Sequence, residues 1–146
     1  MVHRTAIGVH LVLIHGNRVL LGRRTPTGWE DGSWHAPAGP LERGESVLPG
    51  LAREAKVELG IVIAEEDLDL VHALRDCDAE DGQGRLQLFF QPRRYAGVLI
   101  NAEQHECAEL RFWPLDTLPK LLVAYTAVAL AAVRAGRPLS VVGWQG

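Results

Sequence analysis

The chain has two cysteines, Cys77 and Cys107, one methionine, and aromatic residues at only 6% of its 146 positions. Two cysteines cannot build a disulfide framework, so an apolar core must hold the fold and a reducing, cytoplasmic setting is expected. The N-terminus lacks a charged region followed by an apolar run and a small-residue cleavage site, so no export signal is expected. Long hydrophobic runs are missing too. The longest, Leu121 to Val133, sits between Lys120 and Arg134 and falls short of the roughly 20 residues that crossing a bilayer requires. It reads as a packed helix, and no membrane partner is expected. Positive charge is not in excess: 15 Lys and Arg stand against 18 Asp and Glu, for a formal charge of −3. Proteins that wrap a duplex neutralise many phosphates with a basic face, so a polynucleotide is not expected as a partner. Internal repeats, low-complexity tracts and Pro/Ser-rich linkers are absent as well.

What is present is 47% hydrophobic content. That suits one domain over residues 1–146 with a full core and is too little chain for two. Residues from about Arg4 to Ile14 are rich in Val, Ile and Leu. Gly16-Asn17 then supplies turn chemistry before Val19-Leu20-Leu21, which predicts a hairpin that begins a central sheet. Arg24 to Ser33, with Pro26, Gly28 and Gly32, reads as a surface loop of the kind that carries ligand contacts. Ser46 is placed to cap a helix that has Pro49 in its first turn, runs to about Leu59 and stops at Gly60. Further strands are predicted near Leu68 to Arg75, Arg85 to Gln91, Tyr95 to Ile100 and Glu109 to Trp113. A last helix is predicted from Pro119 to about Ala135, ended by Gly136. Strands enclosing two helices indicate a mixed α/β or α+β sandwich.

The most informative stretch reads Gly39-Pro-Leu-Glu-Arg-Gly-Glu45 and then, after seven residues, Arg53-Glu54-Ala-Lys-Val57-Glu58-Leu-Gly60-Ile61. On a helix, at about 100° per residue, Leu48, Leu51, Ala52, Ala55 and Leu59 collect on one side that must face a sheet. Glu54 and Glu58 stack one turn apart beside that stripe. Like charges so placed repel by a few tenths of a kcal/mol, and a divalent cation would convert that repulsion into a binding site. Mg²⁺ prefers hard oxygen donors, one or two carboxylates plus waters and substrate phosphates.

This pattern resembles the Nudix box, Gly-x5-Glu-x7-Arg-Glu-hydrophobic-x-Glu-Glu-x-Gly-hydrophobic, and matches every defined position except one. Val57 stands where the first Glu of the Glu-Glu pair belongs, and the intact spacing of all other positions rules out a register slip. The resemblance implies a Nudix-type α/β/α sandwich with a central mixed sheet. It also implies hydrolysis of a nucleoside diphosphate linked to another group, or of a nucleotide polyphosphate. In that chemistry Mg²⁺ or Mn²⁺ screens the diphosphate charge, activates water and stabilises the leaving oxygen. By the same resemblance Glu54 and Glu58 hold metal, Glu54 could double as general base, and the Gly39 carbonyl is a further ligand. Glu45 and Arg53 form an orienting pair, and a distal loop supplies one more carboxylate, for which Glu103 is the candidate with Glu106 behind it. Val57 falls on the wheel between Arg53 and Glu54, so an apolar side chain is expected to face the metal pocket. A catalytically impaired domain that binds nucleotides or regulates is therefore the alternative reading. A non-nucleotide diphosphate, such as an isoprenoid or sugar pyrophosphate, would change only the substrate.

The Arg23 to Gly32 loop resembles one found in a subgroup of the same family. Arg23 and Arg24 are candidates to neutralise phosphate, and Trp29 or Trp34 to stack on a base, against the plainer reading of a surface loop. His35 and His72 fall in predicted strands, where a structural role is the favoured reading over catalysis. His105, Cys107 and Cys77 match no Cys/His zinc spacing. Arg75, Arg93 and Arg94 read as solvated strand ends. The apolar last helix suits deep packing or a homodimer interface, with Trp144 covering it.

Overall fold

The computed structural model describes residues 1–77 and 83–144. Its elements run β1 (Ala6–Leu11), β2 (Ile14–His15), β3 (Arg18–Arg24), β4 (Trp34–His35), β5 (Ala38–Pro40), α1 (Val47–Leu59), β6 (Leu68–Asp76), β7 (Arg85–Pro92), β8 (Cys107–Pro114), α2 (Ala124–Ala135) and β9 (Leu139–Val142). Five strands form the central sheet in the order β5-β1-β7-β6-β9. The β1–β7 and β6–β9 pairs are parallel and the others antiparallel, so the sheet is mixed. A smaller antiparallel sheet is built on β3, which pairs with β8 along one edge and with β2 and β4 on the other.

Side chains alternate across a strand, and that alternation places the helices. Val9, Leu11 and Phe90 turn to one face and pack with Leu51, Ala55 and Leu59 of α1. Their neighbour Phe89, with Leu74, turns to the other face and packs with Ala129 and Leu130 of α2. The result is an α/β/α sandwich. Leu51 and Leu130 are each 1% exposed, and burying a side chain of this kind contributes about 1.5–3 kcal/mol.

Several local expectations are met and others are corrected. The turn at Gly16 does join an antiparallel pair, Ile14 and His15 against Arg18 and Val19. The long strand before it leaves for the other sheet, however, so the predicted hairpin bridges two sheets rather than opening the central one. Helix α1 ends where expected, with Gly60 at φ 70° donating its N–H to Lys56 O. Ser46 occupies the cap position with extended backbone, but its hydroxyl makes no capping bond.

The segment Tyr95 to Ile100 is not a strand. Only Ala96 pairs, in a single bridge to Val62, and Gly97 at φ 97° turns the chain. The segment lies over the end of α1, where Ile100 N donates to Leu59 O at 2.9 Å and Ala102 N to Glu58 O at 3.0 Å. Carbonyls that a helix end would leave unpaired are satisfied this way. The second helix starts later than Pro119, because the chain first runs extended beside β4. There Trp34 N donates to Leu121 O at 2.7 Å and Val123 N to Trp34 O at 2.9 Å. Strand β9 had no counterpart among the expected elements. No helix among the described residues is long and apolar enough to cross a membrane.

Candidate metal and diphosphate site

The α1 carboxylates are positioned by contacts that begin in the preceding loop. Arg53 donates Nε to Glu45 Oε2 at 2.6 Å and Nη2 to Glu45 Oε1 at 2.9 Å. Its Nη1 lies 3.0 Å from Glu54 Oε1. One guanidinium thus ties the loop to the helix and fixes Glu54, a planar fork that lysine could not supply. The hydrogen bonds from Arg53 hold the Glu45 carboxyl down at about 2, and the same pairing raises Arg53. Gly39, on β5, passes directly under the next carboxylate: a Cβ there would lie 2.2 Å from Glu54 Oε1. Gly50 has a similar role one turn earlier, since a Cβ would meet Leu41 Cδ2 at 2.5 Å and Glu45 Oε1 at 3.0 Å.

Two cavities meet at Glu58. A narrow one of about 80 Å³ is lined by Glu58, Glu103, Glu106, His35, Arg24 and Cys107, among others. A wider one of about 460 Å³ is lined by Gly39, Glu54, Glu58, Glu106, Arg24 and Thr27. The loop that carries Glu103 is folded on itself. Glu106 N and Cys107 N both donate to Glu103 O, at 2.9 and 2.8 Å, and Asn101 Nδ2 donates to Cys107 O at 2.8 Å. His105 Nε2 lies 3.3 Å from Glu103 Oε2, and ligand atoms of Glu103, His105 and Glu106 all fall within 4.8 Å of one another, close enough to hold an ion. His105 therefore groups with carboxylates, not with the cysteines.

Glu58 carries the electrostatic consequence. Burial first, then the charge of Glu54 and a hydrogen bond with it, then Glu106 and Glu103, push its carboxyl up to about 9. Four carboxylates around adjoining cavities resist ionising together. A set of carboxylate oxygens gathered around a half-buried Glu58 whose proton is retained by burial and by neighbouring negative charge fits a hard divalent cation.

Arg24, at the end of β3, lines both cavities. The loop after it is built around its side chain. Arg24 Nε donates to Trp29 O at 3.1 Å and Nη2 to Thr27 Oγ1 at 3.2 Å, and its guanidinium lies 4.6 Å from the Trp29 ring centre. Asp31 Oδ1 locks the loop by accepting from Thr27 N and Gly28 N, at 2.8 and 2.9 Å. The 24–33 segment is thus an ordered platform, with Trp29 48% exposed on it.

Arg23, the adjacent strand residue, points the other way. It lies 3.7 Å from Glu109 and lines none of these cavities. Val57 is likewise corrected: it is 47% exposed and lines neither cavity. One step before Glu58 the helix has turned its side chain toward solvent. Trp34 is core, packed edge-on against Trp113 at 5.1 Å. His72 is structural, its two ring nitrogens paired with Arg137 O at 2.8 Å and Ser140 Oγ at 2.9 Å. His35, by contrast, reaches the narrow cavity, and burial together with Arg24 and His10 lowers it to about 4.

A third cavity, of about 470 Å³, was not anticipated beyond Trp29. Trp29, Asp76, Arg85, Gln87 and Tyr125 line it. One signal was legible: Arg85 and Gln87 alternate with Leu86 and Leu88 at a spacing of two, which puts both on one face.

Comparisons with known proteins agree on one family. The NUDIX domain profile matches residues 2–133. The chain is 30% identical over 106 residues to human NUDT18, described as an 8-oxo-dGDP phosphatase; the match covers 71% of this chain and 31% of that protein, so the chain spans about a third of its relative's length. Among solved structures, a MutT NUDIX hydrolase from Burkholderia pseudomallei superposes with a TM-score of 0.79 and 26% identity, covering 88% of this chain and 98% of the other. A NUDIX hydrolase from Nitrosomonas europaea superposes with a TM-score of 0.75, covering 93% of each chain, and at 18% identity it speaks for the fold alone.

Proposed function

We propose, from the premise that the chain belongs to the NUDIX domain family and is a hydrolase of diphosphate bonds, that it cleaves a nucleoside diphosphate linked to another group or a nucleotide polyphosphate. The observation that carries this reading is the convergence of Glu54, Glu58, Glu103 and Glu106 on adjoining cavities that Arg24 also lines. Glu54, Glu58 and Glu103, with the Gly39 carbonyl, would hold Mg²⁺ or Mn²⁺. The bound ion supplies charge screening for the diphosphate and a lowered pKa for attacking water. The chain's own residues do the rest. Arg24 neutralises a phosphate oxygen from a guanidinium preset by Trp29 O and Thr27 Oγ1, and Arg53 holds Glu54 in the orientation needed to accept a proton from water. Similarity to human NUDT18, an 8-oxo-dGDP phosphatase, makes nucleoside diphosphates the first substrates to try. The domain is taken as one unit over residues 1–146, and a homodimer remains part of the proposal on the apolar character of α2, whose Val128 is exposed.

A second reading is favoured by one observation, the valine at position 57. A domain missing a family carboxylate would bind nucleotides and turn them over slowly or not at all. The deciding assay measures phosphate and nucleoside monophosphate release from nucleoside di- and triphosphates, nucleotide sugars and dinucleotides with Mg²⁺ or Mn²⁺. Wild type, Glu58→Ala and Val57→Glu are compared. Turnover by the wild type, lost by orders of magnitude in Glu58→Ala, supports the hydrolase. Turnover by Val57→Glu alone supports the impaired domain, and a Glu58→Ala rate near wild type overturns the site assignment.

A further inference from the structure

The loop before β8 brings an imidazole to the carboxylates, a donor that the family pattern does not call for. Its backbone is tied to the 24–33 platform: Thr25 Oγ1 donates to His105 O at 2.8 Å and Thr25 N to Glu106 O at 3.2 Å. On that fixed backbone the side chains of Glu103, His105 and Glu106 converge, with ligand atoms within 4.8 Å of one another. Among the described residues neither carboxylate has an Arg or Lys ion-pair partner; His105 alone pairs with them. Glu103 and Glu106 line the narrow cavity with Glu58, and Glu106 lines the wider one with Glu54 and Glu58. The loop donors and the α1 carboxylates therefore share one space. Position 57 opens on neither cavity, so side-chain donors beyond Glu54 and Glu58 must come from this loop.

The spacing of these atoms is that of ligands rather than of hydrogen-bond partners. His105 Nε2 lies 3.3 Å from Glu103 Oε2 and 3.9 Å from Glu106 Oε1, whereas a charge-assisted N–H···O bond closes to about 2.7–2.9 Å. Around one ion, bonds of about 2.1 Å set adjacent donors roughly 3–3.5 Å apart and opposite donors about 4.2 Å apart. Both observed separations fall in that span. A proton on Nε2 can serve one of the two carboxylates, and an ion serves all three groups at once. The side chains of His105 and Glu106 are 73% and 65% exposed, so a hydrated ion reaches them without any opening of the fold.

We propose that His105 is a nitrogen ligand to the metal at this site, completing with Glu103 and Glu106 a set that selects a first-row transition ion, Mn²⁺ or Co²⁺, over Mg²⁺. The proposal rests on the reading of the chain as a metal-dependent hydrolase and adds one ligand and the class of ion. Carboxylate and water oxygens suit Mg²⁺ and Mn²⁺ alike, whereas imidazole nitrogen suits transition ions. Mg²⁺ demands near-ideal octahedral oxygen geometry and gives up its waters reluctantly, so it gains little from an imidazole that must displace one. Carboxylates alone would separate the two ions poorly. His105 supplies the difference.

The test is binding of the metal alone, without nucleotide, to the wild type, His105→Gln and His105→Ala at pH about 8, where an ordinary imidazole is uncharged and free to ligate. His105 lies on the surface, so neither substitution opens the core, and circular dichroism verifies the fold. Pulsed electron paramagnetic resonance of bound Mn²⁺ should show a nitrogen coupling in the wild type. That coupling should change when the histidines are isotopically labelled and be lost in both variants. Mn²⁺ and Co²⁺ should bind the wild type roughly tenfold or more tighter than Mg²⁺, and the variants should lose most of that ratio while holding Mg²⁺ within about twofold of wild type. A bound Mn²⁺ without nitrogen coupling, or a coupling that persists in His105→Ala, would overturn the proposal. An equal loss of Mg²⁺ and Mn²⁺ in His105→Gln would overturn it too, as the mark of a residue that only orients Glu103. Failure here is separable from failure of the hydrolase reading: nucleotide turnover without nitrogen coupling sinks the ligand alone, and nitrogen coupling without turnover of any nucleotide sinks the hydrolase alone.

Discussion

Gly39 and Val57 pose opposite questions of the same carboxylates. At Gly39 a methyl group would collide with the end of a side chain, the Glu54 carboxylate at 2.2 Å, rather than with backbone. Glu54 can swing aside, so Gly39→Ala should leave stability within about 1 kcal/mol of wild type. The displaced carboxylate should nevertheless cost roughly tenfold to a hundredfold in turnover, because small misplacements of reacting groups are expensive. Thermal melting and steady-state rates on one preparation check both halves, and a large melting shift with unchanged rate would refute the assignment. Val57 is exposed outside both carboxylate cavities and its side chain supports no packing in the core clusters. Val57→Glu should therefore fold normally, and because position 57 lines neither carboxylate cavity its Mn²⁺ affinity should stay close to that of the wild type. Titration followed by electron paramagnetic resonance would test this directly, without reference to turnover.

Helix α1 was legible because its information is local. The apolar stripe, the stop at Gly60 and the Glu54–Glu58 spacing all lie within 14 residues of chain and need no knowledge of what packs against them. Its ends separate the readable from the unreadable. Ser46 has the residue type and backbone of a cap without the bond, so Ser46→Ala should cost under about 0.5 kcal/mol, against the usual 0.5–2 for a working cap. Gly60 is different. Its φ of 70° excludes most side chains, and a Cβ would come 2.9 Å from Ile100 Cγ1, so Gly60→Ala should cost more than about 1 kcal/mol. Urea unfolding of the two variants tests the contrast, and equal losses would contradict it. The segment around Ile100 was misread as a strand for the same reason. It is rich in β-formers, yet its backbone is claimed by the last carbonyls of α1, a tertiary demand that no local pattern announces. The third cavity was illegible on the same grounds, since residues 29, 76, 85, 87 and 125 come together only through the sheet order and the placement of α2.

At the scale of the whole molecule, the fold decides where protons sit. His10 and His35 lie on neighbouring strands of the two sheets, β1 and β4, and burial is the largest cause that lowers each from 6.5 to about 4. For His35 the positive charge of Arg24 and the proximity of His10 act in the same direction, and for His10 the hydrogen bond to Gln87 opposes only in part. Both imidazoles are neutral in the folded state at neutral pH and regain their ordinary affinity for protons on unfolding. The unfolded chain therefore binds more protons than the native one between about 6.5 and about 4. Stability contributed by the neutral rings is complete above the upper value and is lost as pH falls toward the lower one. Each histidine should account for a loss on the order of 2 kcal/mol between neutrality and pH near 5. Glu45, held at about 2 by Arg53, continues the same trend at lower pH, because its stabilising charge survives until pH falls below the ordinary carboxylate range. Glu58, pushed up to about 9, acts in the opposite direction over the same interval, so the histidine loss should show in Glu58→Gln, where urea midpoints should fall between neutrality and pH near 5, and proton titration of the two rings by magnetic resonance should show both still neutral at pH 5.5 or thereabouts. A midpoint that stays flat over that interval in Glu58→Gln, with rings that take up protons near 6.5, would mean that water reaches both imidazoles.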